Sequence, residues 1–139
     1  MANTEIPVKI NIKTTIDEQE TVELIVFGRF YQKENASFLQ YKEVLEEGTV
    51  KTIIKLGINE MLILRSGAVK MRLPFQLEKE QRGSYELPFG VFETATLAKK
   101  MAYHFENKAG FIELLYDFSL QGEQAGSYHL QINFQEEKY

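Results

Sequence analysis

Apolar and polar residues alternate at a period of two along nearly the whole chain, and this pattern limits what it can fold into. Val8, Ile10, Ile12 and Ile16 share one strand face near the start, while Lys9, Asn11, Lys13 and Thr15 share the other. Tyr128, Leu130, Ile132 and Phe134 repeat the pattern near the end. Side chains two apart lie on one face of an extended strand, so such runs predict half-buried β-strands. Residues 96–104 are the one stretch that also admits a helical turn.

The strands are separated by polar or glycine-marked turns. Turns are expected at residues 17–20, 33–36, 46–48, 57–59 and 107–110, with a tight hairpin at Ser66-Gly67 and another turn at Pro88-Phe89-Gly90. Residues 78–82 read as a charged loop and 91–97 as the eighth strand. Pro74 interrupts or edges its ladder because it has no N–H to donate. Short connections favour antiparallel neighbours, and an open sheet this wide would leave long unpaired edges. The expected fold is therefore all-β: a single closed or nearly closed antiparallel meander barrel of about 8–10 strands, formed by residues 1–139 as one domain.

Composition narrows the functional classes. A chain of 139 residues can bury a sizeable core, so its lack of cysteine leaves nothing to compensate. The net charge of −4 offers no general attraction for nucleic acid or anionic lipid. No apolar run approaches the roughly 20 residues of a membrane helix. The start, Met1-Ala2-Asn3-Thr4-Glu5, is polar and lacks the apolar core of a signal peptide. A cytoplasmic protein that engages neither membrane nor nucleic acid is expected.

Several stretches carry a family likeness: Leu39-Gln40-Tyr41-Lys42-Glu43, Glu47-Gly48-Thr49 with Thr52-Ile53-Ile54, Leu62-Ile63-Leu64-Arg65-Ser66-Gly67, Tyr85 with Pro88 and Gly90, and Thr94 with Thr96. In order and spacing they resemble the YwiB-type family of uncharacterised bacterial proteins. That resemblance implies a calycin-like (lipocalin-like) β-barrel and a cytosolic setting, and it brings no catalytic residues. The chain departs from secreted lipocalins in having no tryptophan for their Gly-x-Trp signature. It departs from fatty-acid-binding proteins in having no arginine after Arg82, so their Arg-x-Tyr carboxylate clamp is absent.

One polar cluster stands out. If the faces carrying Leu39 and Leu45, and Met61 to Leu64, turn inward, Tyr41, Glu43, Thr52, Arg65 and Tyr85 meet inside the barrel. A charge taken inside must be paired, so a Glu43–Arg65 ion pair ordering the core is one reading. The other is a polar anchor for a small anionic or hydroxylated ligand in an apolar cavity. Glu93, with Thr94 and Thr96, is a further candidate for the interior, and the sequence supplies it no partner. Glu113 and Asp117 lie about 13 Å apart on a strand, too far for a glycosidase pair, and read as a solvated face. His104 and His129 have no metal-ligand spacing, so neither metal nor cofactor is expected.

The favoured function is non-catalytic binding of a small, mostly apolar or amphipathic molecule inside the barrel. The alternative is an assembly protein with a filled barrel, whose outer residues such as Ile25 and Phe27 meet a protein partner or a second copy in a homodimer. An enzyme ranks third, because no nucleophile, base and orienting group come together.

Overall fold

In a computed structural model, residues 4–137 are described; Met1, Ala2 and Asn3 of the polar lead-in lie outside them, as do residues 138–139. Each period-two run becomes a strand: β1 (Thr4–Ile16), β2 (Glu20–Lys33), β3 (Ala36–Leu45), β4 (Gly48–Leu56), β5 (Glu60–Gly67), β6 (Lys70–Gln76), β7 (Glu80–Leu87), β8 (Gly90–Glu106), β9 (Ala109–Leu120) and β10 (Glu123–Glu136). Each pairs antiparallel with the next, and β1 pairs with β10 to close a ten-stranded barrel. Register carries the alternation around the wall. Ile10 lies between Val26 and Phe134, and Ile12 between Leu24 and Ile132, so apolar partners face one interior.

The two ends of that interior differ. Around the loops after even-numbered strands, aromatic rings fill the lumen. Phe30 is fully buried and stacks on Phe105 at 4.2 Å and on Phe134 at 5.0 Å. Leu56 and Phe75 are also buried, and Phe75 meets Tyr116 edge-on at 4.8 Å. Around the loops after odd-numbered strands, the inward-facing Val22 and Leu24 remain 51% and 37% exposed, because that end is hollow.

The structure revises several local expectations. Residues 96–104 form no helical turn and lie within the 17-residue strand β8, which runs well past 97. A bulge between Ala98 and Lys100 reverses which residues face inward: Thr94, Thr96 and Ala98 are buried before it, and Met101 and Phe105 pack on the core after it. The resulting Ala98, Met101, Phe105 spacing of three and four mimics a helical stripe. The hairpin expected at Ser66-Gly67 turns instead at Ala68 and Val69, with Gly67 still in β5 at φ 101°. The charged loop is shorter than expected, since β7 already begins at Glu80.

Two seams in the wall are incompletely paired. The β2–β3 ladder runs only from Gly28↔Tyr41 to Lys33↔Ala36, leaving residues 20–27 without a β3 partner. A Cβ on Gly28 would run into the Gln40 carbonyl oxygen, so the close approach that precedes this divergence requires glycine. The β6–β7 ladder holds three pairs and ends at Arg72↔Ser84, next to Gly83, where a Cβ would strike the Arg72 carbonyl. Pro74 belongs to the β5–β6 ladder opposite Leu62 and lies beyond the last β6–β7 pair. There β8 holds β6 directly: Thr96 Oγ1 donates to the Pro74 carbonyl at 2.5 Å, and the Glu78 N–H donates to the Ala98 carbonyl at 2.8 Å.

Candidate functional site

Cross-strand register brings the sequence-predicted polar residues together. Tyr41 on β3 lies opposite Thr52 on β4, Thr52 opposite Arg65 on β5, Arg65 opposite Met71 on β6, and Met71 opposite Tyr85 on β7. Glu43 follows Tyr41 by two, so its side chain shares the inner face, and Arg65 Nη2 lies 3.4 Å from Glu43 Oε1. Their side chains are 26% and 17% exposed, so the pair is half-buried. Tyr41, Glu43, Thr52 and Arg65 line a cavity of about 350 Å³ in the hollow end of the barrel. Tyr85 occupies the same cross-strand row but is not part of the cavity wall.

Apart from Thr14 and the tyrosine hydroxyls, the rest of the wall is apolar. Ile12, Leu24, Ile54, Ile63, Leu73 and Leu130 supply aliphatic surface. Tyr116, Phe118 and Tyr128 form an aromatic side, with Tyr116 and Tyr128 stacked at 5.5 Å and Phe118 edge-on to Tyr128 at 5.9 Å. Sequence reasoning passed over this aromatic side, although its signal was present: β9 and β10 both alternate, and their rings fall on the inward parity.

Burial shapes the electrostatics. The Tyr41 phenol is pushed up to about 12, chiefly by desolvation and then by the Glu43 charge, with Thr52 and Arg65 acting in the other direction. Burial, and next Tyr128, also raises the Tyr116 phenol above its usual value. Both phenols are therefore neutral donors at physiological pH. Thr52 Oγ1 is wholly buried and has no hydrogen-bond partner. The Tyr41 hydroxyl is its hydrogen-bonding neighbour, the interaction that lowers the phenol's value, although the pair falls short of ideal hydrogen-bond geometry. Thr94 Oγ1 is likewise buried and unpartnered, beside Gly83 and away from this cavity.

Other sequence candidates face outward. Glu93 does not line the interior with Thr94 and Thr96. It has the opposite strand parity and lies 2.6 Å from Arg82 Nη1, which supplies the partner that sequence alone did not identify. Glu113 accepts from Lys100 at 3.2 Å and meets His129 Nε2 at 2.7 Å, while Asp117 meets Lys99 at 3.1 Å. The hydrogen bond to His129, followed by that to Lys100, holds the Glu113 carboxyl below its usual range. Among the described residues, no three His, Cys, Asp or Glu side chains are grouped to hold a metal ion. No helix there is long and apolar enough to cross a membrane.

A closed ten-stranded meander, solid at one end and hollow at the other, defines this molecule as a small β-barrel protein. The chain belongs to the DUF1934 family, described as a domain of unknown function, whose model matches residues 8–132. It is 34% identical over 115 residues to the uncharacterized beta-barrel protein YwiB of Bacillus subtilis (strain 168), covering 81% of each chain. The crystal structure of that organism's YwiB protein matches this fold with a TM-score of 0.87 at 30% identity, over 96% of this chain and 94% of the other. The likeness carried in the sequence by the stretches from Leu39 to Thr96 is thus a family relationship.

Proposed function

We propose that the hollow end of the barrel binds one small, mostly apolar molecule, whose polar end is held by Tyr41, Glu43, Thr52 and Arg65. The observation that carries this reading is the cavity of about 350 Å³, which falls within the roughly 300–1,000 Å³ range of small-molecule sites. Its walls are largely aliphatic and aromatic, and the Glu43–Arg65 pair is the one charged feature of the lining among the described residues.

Two measurements test the proposal. Native mass spectrometry of protein purified from its own host should show a bound small molecule. In vitro, the neutral dye Nile red should brighten on binding, and Leu24→Trp, which places an indole at the cavity mouth, should abolish that response. Equal brightening with both proteins would remove the lumen as the site.

A different observation favours a second reading. Residues 20–27 of β2 leave backbone donors and acceptors unpaired at the β3 seam, and Ile25 and Phe27 on the outer face are 58% and 60% exposed. An exposed apolar strand edge is a template for strand addition, and a second copy of this chain can meet it antiparallel across a two-fold axis. Sedimentation of wild type against Ile25→Lys distinguishes the readings: a dimer lost in the variant supports assembly, and two monomers reject it.

A further inference from the structure

The charges on the cavity wall restrict the kind of molecule that fits. Among the described residues, Arg65 is the only cation lining the cavity and Glu43 the only carboxylate. They lie 3.4 Å apart, so the wall carries no net charge. The remaining polar groups are hydroxyls. Resting on the lumen-binding reading above, we propose that the ligand is a neutral amphiphile whose head is an uncharged hydrogen-bonding group, a hydroxyl foremost, and that carboxylate or phosphate heads are disfavoured.

Three features converge on this class. An anionic head brought to Arg65 also meets Glu43, and in a partly buried site water screens that repulsion poorly. The other polar groups of the lining are hydroxyls, each able both to donate and to accept. An alcohol answers both roles, whereas a carboxylate can only accept. The Tyr41 phenol, held protonated by burial beside Glu43, adds another neutral donor at the same spot. The aliphatic and aromatic walls then take the apolar tail.

The test is competition against Nile red by 1-decanol and by decanoate at neutral pH, using the full chain. Decanol should displace the dye at a concentration at least about tenfold below that needed for decanoate, equivalent to about 1.4 kcal/mol. Glu43→Gln frees Arg65 and should narrow or reverse that gap. The comparison of the two competitors on wild type requires no variant to fold. Decanoate competing as well as decanol would overturn the neutral-head inference while leaving lumen binding intact. Failure of both to displace dye held in the lumen would overturn it as well. Dye binding unaffected by Leu24→Trp would overturn the lumen reading and the inference together.

Discussion

Thr52 is where a single atom tells most about the barrel. Its hydroxyl is buried without a partner, so Thr52→Val removes an unsatisfied group and keeps the shape. In ligand-free protein this substitution should raise stability by about 1 kcal/mol, read as a higher urea midpoint at unchanged m. If the hydroxyl serves a bound molecule, the same variant loses affinity. Tyr41 supplies a pH prediction. Its folded value of about 12 exceeds the ordinary 10, so the unfolded chain loses this proton first as pH rises. The stabilisation is complete below pH 10 and declines between 10 and 12. Alkaline melts of wild type should fall more steeply over that interval than those of Tyr41→Phe. Glu113 has the opposite sign. Its lowered value stabilises the fold above the unfolded 4.5, and that contribution is lost as pH drops through the folded value. The Tm difference between wild type and Glu113→Gln should therefore shrink on acidification below pH 4.5.

At the level of elements, the two seams make distinct predictions. Thr96→Val removes the donor to the Pro74 carbonyl and leaves that oxygen unpaired where β6 and β7 diverge. A loss of about 1–3 kcal/mol in urea unfolding is expected. Gly28→Ala forces a methyl into the Gln40 carbonyl and should destabilise by a similar amount or more, whereas Gly90→Ala, with open space around it, should be close to neutral. These elements were unequally legible in the sequence. β1 and β4 alternate without interruption, and β10 does so beyond its irregularity at Gln124–Gly126, so their faces could be read directly from Val8, Thr52 or Ile132. β8 could not, because one inserted residue near Lys99 shifts the inward parity and makes Ala98, Met101 and Phe105 look helical. The short β6–β7 ladder was only half visible: Pro74 marked a missing donor, but the bond that its carbonyl accepts from Thr96 spans 22 residues of sequence.

Across the whole molecule, dense packing and open space are divided between the two ends. Phe30 sits in a stack with Phe105 and Phe134, so Phe30→Ala should cost about 3–5 kcal/mol. Leu24→Ala, at the half-exposed hollow end, should change the urea midpoint far less. That division is invisible to periodicity, which assigns Leu24 and Phe30 to the same inner face of β2 without saying which one meets two neighbouring rings and which meets empty space. The meeting of Glu43 with Arg65 was legible as a condition on which face turns inward, since both lie on the inward parity of alternating runs two strands apart. Tyr85 pairs with the cavity-lining Met71 but is not itself part of the wall. The seam that ends at Gly28 has a mechanical consequence. Residues 20–27 stay laced to β1 along their whole length but share no ladder hydrogen bond with β3, so the wall can widen along that one seam without any strand pair being unzipped.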